Sequence, residues 1–186
     1  TPMAAERGVT PIVIPELQRD PMLVNDLRAL VKICRILFTV QPDIIHTHTA
    51  KAGLLGRLAA CVYNAVCRVQ GRRRAVVLHT FHGHLFQGYF PRSLSRLLVL
   101  GERLLARLTD RIVTVSGQLK DELTRRYHVG PAAKCVVVPV GLDFSWTRSL
   151  SERQGTLRRQ AGVDPACLTV GIVGRLTAIK NHEVFL

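Results

Sequence analysis

Three stretches of the chain carry side chains whose types and spacing suit chemistry. "GRLTAIKN" sets Arg175 and Lys180 five residues apart just after an apolar run. In an open parallel sheet, ligands bind beyond the carboxyl ends of the strands, where helix N-termini point free N–H groups outward, so two cations there suit a diphosphate. "LHTFHGHLF" places His79, His82 and His84 after the run at 75–78, with Gly83 permitting close backbone approach. An imidazole at a strand end can act as acid, base or hydrogen-bond donor to an anionic substrate. "DIIHTHTAKAGLLGR" puts His46 and His48 at another strand end, before a helix that Thr49 can cap and on which Gly53 and Gly56 read as packing positions. Taken singly, each of these side chains also fits a solvated loop. His-x-His is a metal-ligand spacing, but neither cluster is followed closely by Asp or Glu, and Asp43 precedes its strand, so no metal site is expected.

A fourth stretch offers a surface. In "PRSLSRLLVLGERLLARLTDR", at about 100° per residue, Arg92, Arg96, Arg103 and Arg107 fall within about 60° of one another. Leu94, Leu97, Leu98, Leu104, Leu105 and Leu108 take the opposite side, while Val99 and Leu100 flank the arginines. Such a stripe suits an anionic membrane surface. It also fits a helix that covers a sheet and leaves its basic face to water.

The elements that must position these residues alternate. β-rich apolar runs stand at 11–15, 43–47, 75–80, 111–116, 134–140 and 168–174, and their near-continuous apolarity predicts strands buried on both faces. Between them, 21–38, 49–64, 91–108 and 116–127 have helical spacing and open on Pro, Thr or Ser. The order implies an α/β fold with a parallel sheet. The strand pattern lapses over 141–164, a boundary candidate with a short helix at 151–160, and a fresh strand follows it.

Composition narrows the partners. The formal net charge of +13 attracts phosphates, nucleic acid or anionic lipid, and the low aromatic content of 5% with no nucleic-acid module argues against nucleic acid. The cysteines Cys34, Cys61, Cys67, Cys135 and Cys167 lack paired spacing and read as reduced core thiols of a cytosolic protein. No uninterrupted apolar run approaches the roughly 20 residues that span a bilayer. The chain opens on Thr1, which points to a start further upstream, and "GRRR" at 71–74 reads as a solvated loop.

In this order, "PDIIHTHTAKAGLLGRLAA", "HTFHGHLFQGYF", "ERLLARLTDRIVTVSGQLKDEL", "VVVPVGLD" and "VGIVGRLTAIKNHEVFL" resemble a GT-B glycosyltransferase of family 4, the retaining nucleotide-sugar enzymes, from about Ile12 onward. The resemblance implies a Rossmann-like parallel sheet with helices on both faces. It implies residues 1–145 as an acceptor-side domain lacking its first strand, 146–166 as linker, and 167–186 as the start of a donor domain. Arg175 and Lys180 match the family's basic pair on the donor diphosphate, and His82 matches its histidine near the reacting sugar. His48, Gly83 and His84 would line the cleft.

The implied activity is transfer of a sugar, with retention, from a UDP- or GDP-type donor to a glycan or lipid-linked acceptor in cell-surface polysaccharide synthesis. No metal or other cofactor is implied. The implied location is the cytoplasm, with a peripheral place on the inner face of the plasma membrane through Arg92, Arg96, Val99, Leu100, Arg103 and Arg107. Two departures matter. Val140 stands where the family's turn carries Asn, and the Glu-x7-Glu element lies beyond Leu186, so this chain by itself is expected to be inactive. A nucleotide-sugar epimerase of the same fold and a non-catalytic sugar-nucleotide or polyanion binding module are the alternatives.

Overall fold

The computed structural model describes residues 6–18, 20–83, 86, 90–145, 147, 150, 155–164, 166–177 and 180–186. The chain divides into two compact units, Thr1–Pro139 and Val140–Leu186. The first is built from α1 (Leu23–Val40), β1 (Ile44–His48), α2 (Ala50–Val69), β2 (Val76–Phe81), α3 (Arg92–Arg107), β3 (Arg111–Thr114), α4 (Gly117–Asp121) running into a π-turn at Glu122–Arg126, and β4 (Cys135–Val137). The four strands form one parallel sheet in the order β1-β2-β3-β4. Each strand returns to its neighbour through a helix, as parallel pairing requires.

Local chemistry sets several boundaries. α1 ends where Gln41 turns left-handed and its N–H donates to the Leu37 carbonyl. Ser116 caps α4, its Oγ accepting from Leu119 N at 3.2 Å. Asp110, just before β3, accepts from Val77 N at 2.8 Å and from both outer nitrogens of Arg74. That carboxylate ties the start of β2 to the start of β3.

Two clusters make the core. Leu37, Ile45, Ala59, Ala60, Tyr63, Cys67, Ala75 and Val77 join α1 and α2 to β1 and β2. Phe81, Phe86, Ala106, Ile112, Leu119, Leu123, Val129 and Cys135 join α3, α4 and the π-turn to β2, β3 and β4. By length and mean hydropathy α2 is apolar enough to cross a membrane, although no unbroken apolar run announces it. Its buried residues, a charged arginine among them, make it the central helix of this core instead.

Several expectations need correction. The run at 11–15 forms no strand, and Ile12 and Val13 are exposed with no strand beside them among the described residues to take up their backbone groups. β1 is not buried on both faces. Ile45 and Thr47 turn toward α2, while Ile44, His46 and His48 face outward, exposed, because no described helix covers that side. Cys61 and Cys167 are exposed rather than core thiols, and all five cysteines are free. In the second unit α5 (Thr156–Gln160) and α6 (His182–Phe185) form, but among its described residues there is no strand at 168–174, whose side chains are exposed.

Candidate functional site

Parallel pairing brings the carboxyl ends of β1 and β2 side by side, with His46 opposite Leu78 and His48 opposite Thr80. Because side chains alternate across a strand, the histidine-rich stretches split between the two faces of the sheet.

The face under α2 takes Thr47 and His79. β2 runs on to Phe81, so His79 lies within the strand rather than after it, and it is 1% exposed. Thr47 Oγ1 donates to the Leu78 carbonyl at 3.2 Å and is therefore free to accept from His79 Nδ1 at 2.8 Å. Nδ1 of the imidazole then carries the proton. Burial, followed by the positive charge of Arg57, pushes its pKa down to about 3. Gly53 makes room for the ring, since a Cβ there would stand 2.4 Å from His79 Cε1, and at Gly56 one would stand 2.6 Å from Thr47 Cγ2. The packing expected of both glycines is what the geometry displays. Behind His79, fully buried Arg57 binds the Gly53 carbonyl through Nε at 2.9 Å and the Glu102 carboxylate through Nη2 at 2.9–3.0 Å, linking α2 to α3.

The open face carries the accessible imidazoles. His46 Nε2 lies 2.7 Å from Thr80 Oγ1, and its ring centroid lies 4.3 Å from that of His48. His48 Nδ1 meets His82 Nε2 at 3.0 Å, with the two rings nearly parallel at 26°. Partial burial, then the like charges of His46 and His82, holds the His48 pKa below the ordinary histidine value. Gly83 follows at φ 151°, a conformation that side-chain-bearing residues rarely adopt, and no atom crowds its Cβ position. The glycine answers a backbone need rather than a tight contact. His84 lies outside the described residues.

The step from β1 into α2 is strained. Thr49 occupies the N-cap position at φ 62° and ψ 163°, a region used almost only by glycine, and its side chain makes no capping bond, contrary to expectation. Such strain costs about 1–3 kcal/mol and gathers at functional sites. Here it falls on the residue directly after His48.

Arg175 and Lys180 belong to the second unit. Among the described residues of this unit no strand leads into them: Thr177 N donates to the Arg175 carbonyl and Lys180 N to the Thr177 carbonyl, each at 2.9 Å. Both side chains are exposed. His182 Nε2 also meets the Arg175 carbonyl, at 2.9 Å.

On α3 the core takes Leu98, Glu102, Leu105 and Ala106, so Leu94, Leu97, Leu104 and Leu108 are exposed instead of packed on the sheet. The helix is turned so that Glu102 reaches Arg57. Val99 is half-buried against the second core cluster, and Leu100 is exposed. Arg92, Arg96 and Arg103 line a groove of about 660 Å³, together with Arg126, Phe90 and Leu100. Arg103 Nε also donates to the Tyr127 carbonyl at 2.8 Å. Arg107 is exposed and lines a neighbouring groove. Among the described residues no group of three or more His, Cys, Asp or Glu is arranged to hold a metal ion.

Sequence spacing missed Thr80 and the Arg57–Glu102 pair. Gly53, one turn before Arg57, was the available sign that something bulky lay beneath α2.

Comparison with known proteins agrees with this architecture. The chain is 27% identical over 178 residues, 96% of its length, to the Escherichia coli UDP-Gal:alpha-D-GlcNAc-diphosphoundecaprenol alpha-1,3-galactosyltransferase, of which it covers 43%. It is 28% identical over 149 residues, 77% of the chain, to the D-inositol 3-phosphate glycosyltransferase of Actinosynnema mirum, covering 33% of it. The Rhodococcus jostii protein of that name is likewise 28% identical, over 151 residues. The chain thus spans less than half the length of these curated relatives. The profile of Glycosyltransferase Family 4 matches residues 1–146, more than three quarters of the sequence, and its Rossmann-like N-terminal domain is the four-stranded parallel unit described above: the chain belongs to glycosyltransferase family 4.

Proposed function

We propose that the protein carrying this chain transfers a sugar from a nucleotide-diphosphate donor to a lipid-linked or glycan acceptor, with retention, in cell-surface polysaccharide synthesis. The observation that carries this reading is the group of accessible imidazoles at the carboxyl ends of β1 and β2 in a family 4 domain, His82 foremost. In the reaction the acceptor oxygen bonds to the anomeric carbon as the bond to the donor's β-phosphate oxygen breaks. The nucleoside diphosphate leaves with the bonding electron pair, and the acceptor's hydroxyl proton passes to it. Arg175 and Lys180 are assigned to the charge that develops on that diphosphate, a stabilisation most effective where water is excluded. His82 is assigned to orienting the reacting sugar, with His48 and Gly83 beside it. No metal is required by this scheme.

A lipid-linked acceptor is favoured by α3. Exposed Leu100 stands beside its arginine stripe, with exposed Leu97 and Leu104 further round the helix, and neither Arg92 nor Arg96 has an acidic partner among the described residues. This face suits the cytoplasmic surface of an anionic membrane. One relative's name includes a diphosphoundecaprenol acceptor, the same anionic and apolar combination.

The test is nucleotide release by the longest native protein carrying this chain, from a panel of UDP and GDP sugars, with and without membrane lipid extract. Extract-dependent release from one donor, reduced about 100-fold or more by Arg175→Ala, is the expected result. Interconversion of free nucleotide sugars without acceptor would establish an epimerase. Binding without release from any donor would reduce the reading to a binding module. In sedimentation with anionic vesicles, Arg92→Glu with Arg96→Glu should abolish pelleting, and unchanged pelleting would remove the membrane from the scheme.

A further inference from the structure

The contact between His48 and His82 restricts what His82 can do. Two imidazole nitrogens 3.0 Å apart share one proton: either His48 Nδ1–H donates to His82 Nε2, or His82 Nε2–H donates to His48 Nδ1. With a proton on both nitrogens the contact would repel. In either permitted arrangement Nε2 of His82 is occupied, and only Nδ1 remains for a substrate.

His48 is itself well held. The parallel register sets it opposite Thr80, whose hydroxyl binds His46, and the His46 ring packs against its own. On its other flank the chain turns sharply through strained Thr49 into α2. The charged and titratable groups around it come from every adjoining element. They are His46 on its own strand, His82 after β2, and neutral His79 with Arg57 and Glu102 on the α2 side, with Lys51 on the first turn of α2 paired to Asp26 on α1. Partial burial, then the like charges of His46 and His82, disfavours a charged His48.

We infer that His48 is a positioning residue for His82: it engages Nε2 and fixes the ring plane, so that Nδ1 is the atom presented to the reacting sugar. This rests on the assignment of His82 made above. It accounts for an exposed His-x-His in which the second imidazole reaches across to the neighbouring strand end.

Two measurements test it. In ring-nitrogen NMR of the chain, the wild type should place His82 Nε2 in a hydrogen bond with one dominant proton arrangement. His48→Phe keeps a flat ring without the nitrogen, and should release His82 to an average of tautomers. In the longest native protein, His48→Phe should lower kcat by about 10- to 100-fold, the cost of a misplaced catalytic group, with the donor KM changed less than about threefold. His48→Asn, whose amide lies near the position of Nδ1, should recover most of that loss. In a His82→Phe background, His48→Phe should add nothing further.

Equal losses with and without His82, or His82 ring signals unmoved by His48→Phe, would overturn the proposal while leaving the transferase reading intact. A His82→Phe enzyme with undiminished kcat would overturn the assignment of His82 and this proposal with it. The two failures are therefore told apart by the single His82 variant.

Discussion

The two faces of the β1–β2 pair carry histidines of opposite kinds. Under α2, His79 is shut in by a glycine, hydrogen-bonded to Thr47, and backed by a buried ion pair. On the open side, His46, His48 and His82 contact each other and the solvent. Residues one position apart in sequence therefore serve different ends. One face uses polar groups to specify how helices pack, and the other leaves similar groups free to meet a ligand. A buried polar network is stabilising only while every member keeps its partner, whereas an exposed one tolerates loss because water substitutes.

That contrast can be broken most forcefully at Arg57. Arg57→Ala leaves the Glu102 carboxylate buried without a counter-charge and should cost about 3–5 kcal/mol in denaturant unfolding. Replacing both partners, Arg57→Met with Glu102→Leu, should restore most of it. A single-variant cost below about 1 kcal/mol would mean that the pair is already wet.

Next in size, Gly53→Ala drives a methyl into the His79 ring and should cost about 1–3 kcal/mol by the same measurement. Gly101 has no atom within 4 Å of its Cβ position, so Gly101→Ala on α3 serves as the control without a clash.

The third prediction uses protons. His79 titrates near 6.5 when unfolded and near 3 when folded, so the unfolded chain takes up the proton first as pH falls. Its contribution is complete above about pH 6.5 and is lost progressively between there and about pH 3. Stability measured against pH should flatten over this range in His79→Leu compared with wild type.

The smallest effect is expected across the sheet. His46→Gln, on the open face, should move stability by less than about 0.5 kcal/mol. A loss comparable to that of Gly53→Ala would erase the distinction between the faces.

Much of this was legible in the sequence. The apolar runs at 43–47 and 75–80 became β1 and β2 within one residue at each end, and Ser116 capped its helix as its type suggests. The sorting of histidines was not. It depended on the alternation of β2 in register with β1, which turns His79 under α2 and gives the polar His79 and Thr80 partners in Thr47 and His46. Local apolarity also overstated the runs at 11–15 and 168–174, because a parallel strand is defined by its neighbours and not by its own composition. For α3, helical periodicity located the arginines and the core positions Leu98 and Leu105, but not the burial of Glu102 and Ala106 or the exposure of Leu94, Leu97, Leu104 and Leu108. The deciding contact, Glu102 to Arg57, lies 45 residues apart in sequence and has no local signature.

The backbone at Thr49 has a consequence for how this domain can be improved. Glycine would accept φ 62° and ψ 163° without protest, so relieving the turn is an accessible route to a tougher fold. It would also loosen the joint that fixes where His48 points. Thr49→Gly therefore sets a gain in stability against the positioning role proposed above for His48.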